Sequence, residues 1–153
     1  MVDTTVDAVD RGIRNPPYGW ALVAAGAVAL LYIVTLAPTT AFWDTSEYIA
    51  TAHILGIPHP PGNPLFVVLA RTWELLLAPL GLSVAVKINL FSTTMSALAH
   101  GFWFLVVHNI LQHFSKDRTF PLVGAFIAVI VSATAFTVWN QSNVNEKVYT
   151  VSL

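Results

Sequence analysis

Three apolar runs set the pattern of the chain. Trp20 to Ala37, Ile88 to Val107 and Phe120 to Trp139 contain no Asp, Glu, Lys or Arg. The first run would be roughly 27 Å long as a helix, close to the thickness of a bilayer's hydrocarbon layer. These runs predict transmembrane helices over about 20–37, 88–111 and 120–139. A cleaved signal peptide is the rival reading of the first. Its leading segment carries Asp3, Asp7 and Asp10 against Arg11 and Arg14, and its apolar stretch exceeds a signal core, so an uncleaved span is expected. A fourth segment, Leu65 to Leu80, is shorter and contains Arg71 and Glu74. Both charges at mid-depth would be costly, whereas a helix lying in the interface could turn Arg71, Thr72 and Glu74 to water. The expected architecture is an all-α integral membrane bundle. It has three spans, a cytoplasmic segment 1–19 and an external loop of about 38–83 with interfacial helices.

Polar punctuation refines this outline. Asp44-Thr45-Ser46-Glu47 reads as a capping box, with Trp43 and Tyr48 as the hydrophobic staple. Gly56 would stop that helix. Between Ile57 and Pro64, four prolines forbid regular structure, and Asn63 can cap a new helix with Pro64 at its first position. Asn89, Thr93, Ser96 and His100 fall on one helical face, where hydrogen bonds to neighbouring helices are the plain expectation. Gly124, Ala128, Ser132 and Ala135 form a small-residue face suited to close packing. Trp20, Trp43, Trp73 and Trp139 fall near the expected boundaries as interface anchors.

Composition agrees with a membrane protein. The 153 residues are 56% hydrophobic and 10% charged, where a soluble domain carries about a quarter charged residues. The formal net charge of −1 suggests neither a nucleic-acid partner nor a polybasic anchor, and the absence of cysteine excludes disulfides and thiolate metal sites. Arg11 and Arg14 precede the first span and Lys116 and Arg118 separate the other two, whereas Pro38 to Pro64 contains no Lys or Arg. The positive-inside rule then places the N-terminus in the cytoplasm and the 38–83 loop outside or in a lumen, as in a bacterial inner membrane or the endoplasmic reticulum. Asp44, Glu47 and Glu146 would share that external face. Asn145 could cap a helix beginning at Glu146, yet the sequence stops at Leu153, so a longer protein with further helices is expected. His53, His59, Asp44 and Glu47 do not have the spacing of a strong metal-ligand motif. No cofactor is expected; a divalent cation stays open, since hard cations can use carboxylates with few dedicated ligands.

Ala37-Pro38-Thr39, then Phe42-Trp43-Asp44 with Glu47, then Gly56-Ile57-Pro58-His59-Pro60-Pro61-Gly62 resemble a known pattern. It is that of the integral-membrane family called domain of unknown function 2723, which is related to protein O-mannosyltransferases and the wider GT-C glycosyltransferases. Glu146-Lys147-Val148-Tyr149-Thr150 is similar to that family's segment after its third span, and the resemblance runs from Leu31 onward. It implies a GT-C-like fold of which this chain is the N-terminal portion, inactive without the rest. It also implies a polyprenyl- or dolichyl-phosphate sugar donor in the bilayer. By the same resemblance Asp44 is the catalytic base, Glu47 the second acid and His59-Pro60-Pro61 a wall of the donor site. The family commonly continues with Gly-Lys where this chain has Gly62-Asn63-Pro64, so Arg71 becomes the candidate cation for the donor phosphate. Glu146 and Tyr149 are further candidate substrate contacts. The alternatives are a transporter or channel fragment with acids lining an ion path, and a non-catalytic membrane scaffold in which Asp44 and Glu47 only cap a helix.

Overall fold

The computed structural model describes residues 15–40, 44–60, 62–115 and 117–144, and among them all regular structure is helical. The elements are α1 (Tyr18–Val34), α2 (Thr45–Ile54), α3 (Pro64–Leu76), a 3-10 turn (Ala78–Leu80), α4 (Val84–Leu111), α5 (Thr119–Thr134) and α6 (Phe136–Asn143). α4 is the long one, at 28 residues. It starts ahead of the expected Ile88 because Ser83 caps it, its hydroxyl accepting from the Val86 N–H at 3.3 Å.

The three expected spans are realised unequally. Among the described residues α4 alone is a single helix long and apolar enough to cross a membrane. α1 has 17 residues and stops at Val34, short of the expected Ala37. The third run is broken: α5 and α6 meet at a bend of 66°. Length and composition therefore mark one candidate span among the described residues, or two if the bent pair is one span, with α1 apolar but shorter. The bend has an identifiable cause. The Tyr32 hydroxyl donates to the Ala133 carbonyl at 2.9 Å, a carbonyl that a continuous helix would use four residues later, and Ala135 turns extended with ψ 127°.

α1 and α5 both run antiparallel to α4. A Cβ at Gly101 would sit 3.2 Å from the Ala25 Cβ, while at the other end of α4 the Asn89 amide donates to the Ala37 carbonyl at 3.0 Å. Phe126 of α5 packs edge-on against Phe104, ring centroids 4.8 Å apart, and a Cβ at Gly124 would overlap the Leu111 side chain. The buried face of α5 is Pro121, Ala125, Val129 and Ala133, one position from the small-residue face read in the sequence. Ala135 is exposed.

A second apolar cluster lies at the opposite end of the molecule from Leu111. There α2 and α3 pair as a hairpin whose Tyr48, Ile49, Ala52, Phe66, Val67 and Ala70 pack on Ile88 and Phe91 of α4. The polar stripe of α4, Asn89, Thr93, Ser96 and His100, is buried, and all but His100 bond to neighbouring segments; His100 Nδ1 meets the Ser96 carbonyl of its own helix at 2.7 Å. Thr93 donates to the Ser142 carbonyl at 3.1 Å, and the Ser96 and Ser142 hydroxyls lie 2.8 Å apart. Ala37 N–H donates to the Asn143 carbonyl at 3.2 Å. These bonds hold the exit of α1 and the last turn of α6 beside the first half of α4, at the end that carries the α2–α3 hairpin.

Candidate functional site at the start of α2

Asp44 and Glu47 stand in the first turn of α2, but they do not form the expected capping box. Asp44 occupies the N-cap position with φ −86° and ψ −14° and makes no side-chain cap bond. Glu47 turns instead to the proline-rich loop. One carboxylate oxygen accepts from the His59 backbone N–H at 2.6 Å, and the other meets His59 Nδ1 at 2.8 Å. A carboxylate only accepts, so Nδ1 carries the proton in this contact. The His59 ring, then its backbone N–H, hold the Glu47 carboxyl below its ordinary value. Trp43, the other half of the expected staple, lies outside the described residues.

The loop that Glu47 grips is shaped by its own residues. Gly62, at φ +68°, donates from its N–H to the His59 carbonyl at 3.0 Å, a turn that a residue with a Cβ would strain. Asn63 precedes α3 and Pro64 opens it as expected, but the Asn63 side chain does not cap: its amide donates to the Tyr48 hydroxyl at 3.0 Å. Tyr48 is buried and packs edge-on against both His59 and Phe66. The far end of α2 also departs from expectation. Leu55, not Gly56, takes the left-handed conformation (φ 55°), and the Gly56 N–H closes the helix on the Thr51 carbonyl at 2.8 Å. A left-handed leucine costs about 1–2 kcal/mol.

Arg71 and Glu74 were expected to face water. Glu74 is instead buried at 5% exposure, against α2. Arg71 Nη1 donates to it at 2.6 Å and His53 Nδ1 lies 2.9 Å from its other oxygen. Burial works to raise the Glu74 carboxyl, but the Arg71 and His53 bonds outweigh it and hold the group below its ordinary value. Since α3 buries Phe66, Ala70 and Glu74, spaced four apart, the inward position of Glu74 was present in the spacing. Apolar residues on both faces of α3 concealed it.

The structure thus forms two clusters at opposite ends of α2. The Glu47–His59 clamp lies in the first turn beside Asp44. The His53–Arg71–Glu74 cluster begins nine residues beyond Asp44, about 13 Å along the helix axis. Arg71 is partnered there, away from the first-turn acids. Among the described residues no three His, Cys, Asp or Glu side chains gather around a common point. Glu146 and Tyr149 lie outside the described residues.

Comparison with known proteins identifies the family. The family described as "Protein O-mannosyl-transferase TMEM260 N-terminal domain" matches residues 44–153, which begins at Asp44. A protein O-mannosyl-transferase TMEM260 of Mus musculus is 38% identical over 111 residues, covering 72% of this chain and 14% of that protein. A protein O-mannosyl-transferase tmem260 of Dictyostelium discoideum is 35% identical over 79 residues, 52% of this chain and 10% of that protein. The matched regions thus span only 10–14% of the length of these relatives. No solved structure matches. With its match from Asp44 through Leu153, the chain belongs to the protein O-mannosyl-transferase TMEM260 N-terminal domain family.

Proposed function

We propose that the chain is part of a membrane glycosyltransferase that moves a mannosyl group from a polyprenyl- or dolichyl-phosphate carrier to an acceptor hydroxyl, with Asp44 as the base. The relatives' name supports the sugar and the kind of acceptor. The observation that carries Asp44 over Glu47 is a division of labour within one helical turn. Both Glu47 oxygens are engaged by His59, while the half-buried Asp44 carboxylate makes no capping bond. A hydroxyl is a poor nucleophile, and a carboxylate placed to take its proton lets the oxygen attack C1 as the bond to the carrier phosphate breaks. The proton goes to Asp44 and the negative charge leaves on the lipid phosphate. Glu47 then acts on the reaction through the loop, by fixing His59 and Pro60 as a wall of the donor site.

In this reading α1, α4 and the bent α5–α6 pair cross the bilayer, and the hairpin end is external or lumenal. Glu146 and Tyr149 are assigned as substrate contacts in this reading. Arg71, joined to Glu74, would serve the donor phosphate only through a rearrangement of that pair. The test is donor dependence. Full-length protein in proteoliposomes should glycosylate an acceptor peptide from dolichyl-phosphate mannose and not from a nucleotide sugar. Transfer from the nucleotide sugar alone, or ion flux with neither donor, would contradict the proposal.

A further inference from the structure

The third helix is turned inside out for a segment in water. Its outward positions are Leu65, Val68, Leu69, Thr72, Leu75 and Leu76, one continuous helical stripe. Leu65, Val68, Leu75 and Leu76 are each more than half exposed. The one polar side-chain atom of the stripe, the Thr72 hydroxyl, donates back to the Val68 carbonyl at 2.8 Å, so the face offers water no unsatisfied side-chain donor. The charges point the other way: Glu74 is buried and Arg71 is three-quarters covered. The partner helix is mixed: its outward positions are Ser46, Ala50 and His53, with Glu47 half-exposed beside them, and Ile54 at its end is exposed too.

We propose that the outward stripe of α3 lies in the bilayer, at the level where acyl chains meet headgroups, while the first turns of α2, at Ser46 and Ala50, face water. The His53–Arg71–Glu74 cluster is then the seam between the two. Three features favour lipid as the occupant. A helix of 13 residues is about 20 Å long, too short to cross about 30 Å of hydrocarbon, so it lies along the boundary. The hydroxyl bonded back onto its own helix is what a medium without hydrogen-bond partners requires. The apolar surface also continues past the helix through Leu80 (62% exposed) and Leu82 toward the foot of the span-length α4. The inference rests on the membrane part of the functional reading and not on the chemistry assigned to Asp44.

Spin-label accessibility tests it in the full-length protein in phosphatidylcholine nanodiscs. This chain contains no cysteine, so, with any cysteines elsewhere in the full-length protein replaced, Leu65→Cys, Leu69→Cys, Leu76→Cys, Ser46→Cys and Ala50→Cys each carry one nitroxide. Labels at 65, 69 and 76 should collide several-fold more with oxygen, which concentrates in the bilayer, than with a water-soluble nickel chelate. Labels at 46 and 50 should show the reverse preference. Collisions with neither reagent at 65, 69 and 76 would mean that other helices of the full-length protein cover the stripe. Collisions chiefly with nickel would mean that it faces water. Either result overturns the proposal, and neither touches the role of Asp44, which is read from turnover.

Discussion

Removing the buried carboxylate of the hairpin, Glu74→Ala, should loosen α2 from α3 by a predictable amount. Breaking a fully buried ion pair by deleting one partner costs about 3–5 kcal/mol. Here the side chains left behind are accessible, Arg71 at 27% and His53 at 46%, so water can reclaim both. What remains is the loss of the charge-assisted bonds at 2.6 and 2.9 Å less that rehydration, about 1–3 kcal/mol. Hydrogen exchange of the α2 amides in the full-length protein reads this directly, since the hairpin can open without global unfolding. Exchange should accelerate roughly 5- to 150-fold, with the α1–α4–α5 amides unchanged. The pH dependence has a definite sign. The Glu74 carboxyl is held below the ordinary 4.5, so its contribution is complete above that value and disappears as pH falls through the depressed one. In Glu74→Ala that acid-side loss of α2 protection should vanish. Unchanged α2 exchange in the variant would refute the view that this cluster joins the two helices.

Two further perturbations separate packing from chemistry. Gly124→Val should destabilise the α4–α5 contact by about 1–3 kcal/mol, because the added atoms overlap Leu111, whereas Gly26→Ala, with open space around it, should be neutral or stabilising; thermal scans of the purified full-length variants compare them. Glu47→Gln keeps an oxygen for the His59 N–H and should retain a reduced turnover, and Glu47→Ala should fall further. Complete and equal loss in both variants would instead make Glu47 the reacting acid.

How much of this could be read from the chain depends on where each contact partner lies. The all-helical class, the starts of α2 and α3 and the buried polar stripe of α4 follow from local runs and spacing, and all are present. The break at Ala135 was not legible, since no proline or glycine marks it. Its cause is the Tyr32 hydroxyl, 101 positions away in sequence. The capping box failed for a similar reason. Asp44 and Glu47 have the right spacing, but His59 offers Glu47 two partners, a backbone N–H and a ring nitrogen, that a local motif cannot anticipate. For α3, the spacing of Phe66, Ala70 and Glu74 marks the inward face, but apolar residues on both faces hide it. The aromatic packing of Phe66 and Trp73 on Phe91 fixes which face turns inward.

The central claim is that Asp44 accepts the proton of the incoming hydroxyl, and Asp44→Asn in the full-length protein tests it most directly. Asp44 makes no side-chain cap bond that Asn would lose, and Asn cannot act as a base, so the fold should be kept while the chemistry is lost. The account predicts loss of mannosyl transfer from dolichyl-phosphate mannose, with α2 hydrogen exchange as in the wild type. Near-normal transfer by a folded Asp44→Asn protein would contradict it.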